Sequence, residues 1–268
     1  MQIGASVARH LFDDLGPAGT VFVRVAFGAM ILMAIARPRR LHGVAEHWTS
    51  VVLFGLIIAG MNLSFYEAIA RIPLGIAVTI EFVGPLGVAI AGSRKVLDFV
   101  WVAMAASGVV LLSLTGGHVT LLGVVFALGA AAGWAAYILI NQRVGRLVPG
   151  AGGLAFALAI GALSLAPFGL AGADNRLLNV RNLGIGLVVA ILSTAIPFSL
   201  EFAALRRLSS QVFGILMSLE PAMGAAAGFV LLGQRLSLRD LLAIALVTVA
   251  SAGATATAAR PPTVQDVP

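Results

Sequence analysis

The sequence has few charged residues. Only 10% of its 268 residues are Asp, Glu, Lys or Arg, whereas 60% are hydrophobic. Soluble domains usually contain about 25% charged residues. A soluble globule with so few charges could not cover its surface with polar groups, whereas a chain surrounded by lipid has no such need. The composition therefore excludes an ordinary soluble protein and predicts an integral membrane protein whose main partner is the lipid bilayer.

Cysteine is absent, which excludes disulfides and thiolate metal sites. The chain also has no G-x-x-x-x-G-K-[ST] phosphate loop and no H-E-x-x-H zinc motif. Its four histidines lie in or near predicted loops without the spacing of metal ligands; they are His10, His42, His47 and His118. We therefore expect no enzymatic activity, no catalytic residue, no metal and no cofactor.

Lysine is nearly absent, since Lys95 is the only one among 17 basic residues. With much Ala and Gly, this composition is typical of GC-rich bacterial genes. The net charge of +6 could indicate a nucleic-acid partner. The arginines, however, lie in short clusters between apolar runs, where they set membrane topology. We predict no nucleic-acid binding.

Nine apolar segments approach the roughly 20 residues that a membrane-spanning helix needs. They are Ala18–Ala36, Trp48–Glu67, Ile72–Gly92, Phe99–Thr115, Leu121–Ile140, Gly152–Ala171, Leu183–Ala204, Gln211–Leu232 and Leu238–Ala256. Most connections are short, so neighbouring helices are antiparallel. The predicted fold class is all-α, a polytopic membrane helix bundle.

The loops on the two sides of the membrane differ in positive charge. One set, with the C-terminal tail, has ten basic residues: Arg37, Arg39, Arg40, Arg94, Lys95, Arg143, Arg146, Arg206, Arg207 and Arg260. The opposite set has five: Arg71, Arg176, Arg181, Arg235 and Arg239. The positive-inside rule places the first set in the cytoplasm. We predict a multi-pass protein of the inner (plasma) membrane with a cytoplasmic C-terminus.

The chain also contains an internal repeat. A gapless shift of 136 residues places Pro85 on Pro221 and Trp48–Glu67 on Gly184–Ala203. The predicted units are residues 1–117 and 118–258, followed by a cytoplasmic tail at 259–268. A complete unit would have five helices, and because five is odd the two units would be inverted. Inverted repeats are typical of secondary transporters, which bind substrate between the repeats near the midplane.

The same shift bears on Met1–Phe12, which is apolar but too short to cross a bilayer. Moved back by 136 residues, Leu121–Ile140 would begin about fifteen residues before Met1. We interpret Met1–Phe12 as the end of a first helix that is mostly missing, through a misplaced start or a fragment. The alternative is an interfacial stub. The complete architecture would then be ten helices, five plus five.

Charged residues inside the spans need an explanation, because each costs about 2.5–3.5 kcal/mol in the bilayer. Glu81 and Glu220 each lie about ten residues into a span, near the midplane, close to the helix-breaking Pro85 and Pro221. They are predicted proton acceptors or contacts for a substrate ammonium group. The alternative is that they form interhelical hydrogen bonds.

Of three further charged residues, Arg24 and Glu201 have two interpretations each. Arg24 either snorkels to the outer surface or holds a carboxylate of the protein or of a substrate. Glu201, which follows the helix-breaking Pro197, either lines the inner vestibule or pairs with Arg206 or Arg207; we favour the pair. Glu67 is expected to pair with Arg71.

Four uncharged side chains complete the predicted pathway: Asn62, Tyr66, Trp134 and Tyr137. Trp134 and Tyr137 are three residues apart and therefore share a helix face. The alternative for that face is packing with an interfacial anchor.

Several motifs resemble those of the threonine/homoserine exporters in the EamA-type branch of the drug/metabolite transporter superfamily. In the first half they are Met61-Asn62-x-x-Phe65-Tyr66, Pro73-Leu74-Gly75-Ile76-Ala77-Val78 and Glu81-Phe82-x-Gly84-Pro85-Leu86. In the second they are Gly133-Trp134-Ala135-x-Tyr137, Ser193-Thr194-Ala195-x-Pro197-x-Ser199-Leu200-Glu201 and Gly214-x-Leu216-Met217-Ser218-Leu219-Glu220-Pro221-Ala222. The resemblance covers nearly the whole chain. In the family that this chain resembles, the position of Glu67 is usually occupied by an apolar residue.

The resemblance implies ten helices, cytoplasmic termini and export of small amino acids or related metabolites, driven by protons. The alternatives are a drug or other metabolite transporter of the same fold, and a non-transporting membrane partner protein. The expected partners are a small-molecule substrate, protons and lipid; a homodimer is compatible with the sequence.

Overall fold

The computed structural model describes residues 1–36, 42–91, 96–113, 119–148, 152–171, 174–197 and 216–257. Within these ranges all regular structure is helical. The α-helices are α1 (Gln2–Ala8), α2 (Phe12–Ala36), α3 (His42–Glu46), α4 (Trp48–Ile69), α5 (Leu74–Glu81), α6 (Val83–Ala91), α7 (Val96–Ser113), α8 (Leu121–Leu147), α9 (Gly152–Ala171), α10 (Val180–Ala190), α11 (Glu220–Leu232) and α12 (Leu238–Thr257). Helices satisfy their own main-chain hydrogen bonds, which lipid cannot do.

Five stretches are long and apolar enough to cross a membrane: Gln2–Ala36, Trp48–Ile69, Leu121–Leu147, Gly152–Ala171 and Leu238–Thr257. Shorter apolar helices lie at Leu74–Val88, Phe99–Leu112, Val180–Thr194 and Glu220–Leu232. Each of the nine predicted spans overlaps one of these segments. The prediction of a polytopic helix bundle is therefore confirmed.

The predicted span Ile72–Gly92 is wrong as a single helix. α5 ends at Glu81, Phe82 forms a turn, and α6 begins at Val83. Pro85 has no N–H to donate to the carbonyl of Glu81 four residues earlier, so the helical ladder is interrupted there. The break therefore falls at the residue that has the buried carboxylate.

The second half has two comparable irregularities. A π-helical turn, Ile191–Ala195, follows α10, and the Ile196 N–H bonds to the Ile191 carbonyl five residues back. Pro197 explains it, because proline cannot donate to the carbonyl of Ser193. The predicted span Gln211–Leu232 has its regular helix only from Glu220; residues 211–215 lie outside the described ranges.

The segment Met1–Phe12 is helical and lies inside the bundle. α1 buries Gly4, Ala5, Ser6 and Ala8 and packs against α10 and α11. An interfacial stub is therefore wrong for this segment. A 3₁₀ turn, Arg9–Leu11, leads into α2, whose chain direction changes at Gly16 with φ 66° before Pro17. Glycine fits here because it adopts positive φ without strain.

The helices pack in a reciprocal pattern. The 136-residue shift equates α2 with α9 and α7 with α12, and both pairs are in contact. α4 packs on α8 and α9, while α10, its counterpart, packs on α1 and α2. α5 crosses α11 so closely that a Cβ at Gly75 would lie 2.6 Å from the Cα of Ala225. A twofold relation between the halves produces this kind of exchange.

Candidate functional site

Five polar side chains form a connected group where α1, α2, α4, α5 and α11 meet. We name this group the central polar cluster; its members are Gln2, Arg24, Tyr66, Glu81 and Glu220. Four were predicted from the sequence as pathway residues. The cluster draws on both halves of the chain, because α11 follows the other four helices by more than a hundred residues.

Glu81 lies at the middle of the cluster. It is the last residue of α5 and is 9% exposed. The charges of Glu220 and Arg24 both act on its carboxylate. A carboxylate removed from water this far is stabilised only by a nearby cation or by protonation. Glu81 can therefore bind a proton or a cationic group in exchange for one another.

Arg24 provides the positive charge of the cluster. Its Nη1 lies 3.5 Å from the Tyr66 hydroxyl oxygen, and its guanidinium carbon lies 5.5 Å from the centre of that ring. Tyr66 is fully buried and also contacts the ring of Phe12, with centroids 5.9 Å apart. The Nε of Arg24 is buried and has no hydrogen-bond partner among the described residues. A planar guanidinium with an unused N–H suits a carboxylate ligand.

Glu220 is the first residue of α11, and Pro221 lies in the same first turn. The partial positive charge at a helix N-terminus stabilises a carboxylate there. Proline is common at this position because its missing N–H has no helical partner in any case. Gln2 Nε2 donates a 2.6 Å hydrogen bond to Glu220 Oε2. Glu220 is thus fixed at the junction of α1 and α11.

The other predicted pathway residues surround this cluster or lie apart from it. Asn62 is buried one turn before Tyr66, and its amide donates to the Ile58 carbonyl at 2.8 Å. Trp134 packs edge-on against Phe82, with centroids 5.5 Å apart, and so borders the α5–α6 break. Tyr137 instead contacts the ring of Phe54, with centroids 5.4 Å apart.

The remaining predictions have mixed outcomes. Glu67, near the end of α4, forms an ion pair with Arg71 in the turn that follows, as expected. Pro85 lies in the first turn of α6, just after the break, and Pro197 follows the π-helical turn. Glu201 lies outside the described residues, so its role stays a prediction.

Within the described ranges, no group of three or more His, Cys, Asp and Glu side chains could hold a metal ion. The cluster combines one guanidinium with two carboxylates, of which Glu81 is buried and Glu220 is partly exposed. Such a set of charges is complementary to a zwitterion, which has one carboxylate and one ammonium group.

Comparison with known proteins decides the family. The EamA-like transporter family matches residues 3–114 and again residues 121–256. The chain belongs to this family. The two matches together cover most of the chain.

Curated relatives are similar over 77–91% of their own length. The threonine/homoserine exporter RhtA of Salmonella typhimurium (strain LT2) is 43% identical over 270 residues, covering 100% of this chain and 91% of that protein. RhtA of Escherichia coli (strain K12) is 44% identical over 260 residues, covering 96% and 88%. The uncharacterized transporter YwfM of Bacillus subtilis (strain 168) is 28% identical over 232 residues, covering 82% and 77%.

One solved crystal structure has the same fold. It aligns with a TM-score of 0.56 and 21% identity, covering 97% of this chain and 96% of the other. At that identity it supports the helical arrangement of this EamA protein and nothing about its substrate.

Sequence reasoning missed two members of the site. Gln2 was treated only as part of an N-terminal segment, although it is a lone amide in an apolar stretch, which is the signal that could have singled it out. Phe12, which packs on Tyr66, carries no such signal, because an aromatic residue in an apolar helix is ordinary. Gln2 reaches the cluster because α1 packs inside the bundle, and Phe12 reaches it at the start of α2.

Proposed function

We propose that this EamA protein exports small amino acids of the threonine and homoserine type across the inner membrane in exchange for protons. One observation supports this most strongly. The charges of Arg24 and Glu220 both lie within electrostatic reach of the buried carboxylate of Glu81 inside a helix bundle. Opposite charges in this arrangement match the two charges of an amino acid.

The substrate class follows from the relatives and from the cluster together. RhtA proteins of two enterobacteria, both more than 40% identical, are named as threonine/homoserine exporters. In this chain Arg24 has an unused buried N–H for the substrate carboxylate. Glu81 and Glu220 are the anions available to its ammonium group. A drug transporter would not need both signs of charge at one place.

Proton exchange follows from competition for the same anion. When Glu81 is protonated, it no longer attracts an ammonium group, and when the ammonium group is bound, the proton must leave. A site that holds either ligand but not both moves them in opposite directions when it alternates between the two membrane faces. Arg24 stays charged throughout and retains the substrate carboxylate.

We assign the walls of the pathway to the aromatic residues beside the cluster. Tyr66 lies under Arg24, and Trp134 packs on Phe82 at the α5–α6 break. Asn62 and Tyr137 lie farther along the same two helices, α4 and α8, and line the approach in this proposal.

In this proposal the protein consists of two inverted units, residues 1–117 and 118–258, and its C-terminus lies in the cytoplasm. The reciprocal packing of α4 and α10 supports the units, as do the two family matches. The chain has no native cysteine, so single cysteines report sidedness directly. Cysteines replacing His118 and Arg94, which lie outside the described residues, are expected to label from opposite sides; labelling from one side would overturn the topology.

The transport test uses proteoliposomes loaded with labelled threonine. We expect efflux that accelerates when protons are more concentrated outside, and competition by homoserine but not by unrelated drugs. Threonine efflux at the same rate with and without a pH gradient would contradict the proposed proton exchange. Competition by drugs alone would indicate another substrate class, and no flux of any compound would indicate a non-transporting protein.

A further inference from the structure

Gln2 has a hydrogen-bonding group that the proposed exchange does not use. Its Nε2 donates to Glu220 Oε2 at 2.6 Å, whereas its Oε1 is buried without a hydrogen-bond partner among the described residues. A carboxylate only accepts hydrogen bonds, so the amide nitrogen must face Glu220. The amide oxygen of Gln2 is therefore left for another donor.

A buried acceptor without a partner is uncommon, because leaving it unpaired costs free energy. The central polar cluster contains two unpaired groups of opposite kind. One is the acceptor Oε1 of Gln2, and the other is the donor Nε of Arg24. Gln2 hydrogen-bonds Glu220, and the charges of Glu220 and Arg24 both act on Glu81, so the two unpaired groups belong to one cluster. A ligand that spans the cluster would satisfy both.

We propose that Gln2 Oε1 accepts a hydrogen bond from the side-chain hydroxyl of the substrate, which makes Gln2 a specificity-determining residue. The proposal rests on the export of hydroxylated amino acids proposed above. The substrate carboxylate pairs with Arg24, and its ammonium group pairs with the carboxylates of Glu81 and Glu220. The hydroxyl is the one polar group of the substrate left, and a neutral amide oxygen is the matching acceptor.

The consequence is discrimination against amino acids that lack the hydroxyl. Threonine and valine have nearly the same shape, and so do homoserine and norvaline. A site built to bond a hydroxyl rejects the analogue that leaves its buried acceptor unpaired. We expect the unmodified protein to prefer threonine over valine by about tenfold or more in kcat/KM.

The test compares the two isosteric pairs in proteoliposomes. Gln2→Met keeps the length of the side chain but removes the acceptor. We expect it to lower the threonine-to-valine and homoserine-to-norvaline ratios by about tenfold, mainly by slowing the hydroxylated substrate. Gln142→Met is the matched control, because Gln142 is exposed on α8, and it should leave both ratios unchanged.

Three results would contradict the proposal in distinguishable ways. If Gln2→Met slows all four amino acids equally, Gln2 only positions Glu220. If the Gln2→Met variant does not insert into the membrane, the test is made on the unmodified protein by measuring how valine and threonine inhibit labelled threonine efflux. Equal inhibition by the two amino acids would contradict hydroxyl recognition. If the unmodified protein moves none of the four, the proposed function itself fails, and this inference fails with it.

Discussion

Glu81 and Glu220 lie at two interruptions of the bundle, in opposite positions relative to their helices. Glu81 is the last residue of α5, and Glu220 is the first residue of α11. The partial charge of a helix end is negative at the C-terminus and positive at the N-terminus. A negative charge on Glu220 is therefore supported by its own helix, whereas one on Glu81 is opposed by its helix.

The residues around Glu81 and Glu220 also differ. Glu220 is partly exposed and accepts the hydrogen bond of Gln2. Glu81 is buried and lies within reach of the negative charge of Glu220 and the positive charge of Arg24. Two carboxylates that resemble each other in sequence thus have separate roles in our account. In the proposed transport, Glu81 exchanges the proton and Glu220 contributes to substrate binding.

The largest expected effect is that of Glu81→Gln. Glutamine keeps the shape but cannot exchange a proton, so we expect the pH gradient to lose its effect on threonine efflux entirely. Passive exchange of labelled for unlabelled threonine should persist. Glu67→Gln is the matched control, because Glu67 pairs with Arg71 outside the cluster and should retain normal gradient dependence. Equal loss of coupling in both variants would contradict the role given to Glu81.

The second-largest expected effect is that of Arg24→Gln. It removes the only cation of the central polar cluster and leaves the buried carboxylate of Glu81 without it. Charge-assisted hydrogen bonds contribute about 1.5–3 kcal/mol, so we expect threonine KM to rise by roughly tenfold to a hundredfold. Arg71→Gln removes a cation outside the cluster and serves as the control. An unchanged KM in Arg24→Gln would place the substrate carboxylate elsewhere.

Glu220→Gln should have a smaller effect, and it sharpens the comparison. The variant retains a side chain that Gln2 can hydrogen-bond, and Glu81 still exchanges protons. We expect weaker threonine binding, by about tenfold, with gradient-driven efflux preserved. The measurement is threonine efflux against substrate concentration at two pH gradients. Loss of gradient dependence here, with its retention in Glu81→Gln, would reverse the two roles.

The smallest effect concerns the helix that follows the break. A Cβ at Gly84 would lie 2.8 Å from the carbonyl carbon of Ala131 on α8, whereas nothing lies within 4 Å of one at Gly87. We expect Gly84→Ala to destabilise the protein by about 1–3 kcal/mol. Gly87→Ala should be neutral or slightly stabilising, since alanine favours helix. Thermal unfolding in detergent measures both, and equal midpoints would contradict the close α6–α8 contact.

Much of the fold could be predicted because lipid imposes it. Long apolar runs must be helices, and Pro85 signals a weak point beside Glu81. The break itself, with α5 ending at Glu81, depends on how the following turn packs. The hydrogen bond from Gln2 to Glu220 joins residues 218 positions apart, which no local pattern reveals. The unequal surroundings of the two glutamates likewise follow from where each helix begins or ends.

The central claim is that threonine and protons compete within one buried cluster and therefore exchange. The direct measurement is proton movement driven by threonine alone. Proteoliposomes containing a pH-sensitive dye receive a threonine gradient without any imposed pH difference. We predict proton flow opposite to threonine flow in the unmodified protein and none in Glu81→Gln. Threonine movement without any proton flow in the unmodified protein would contradict the account.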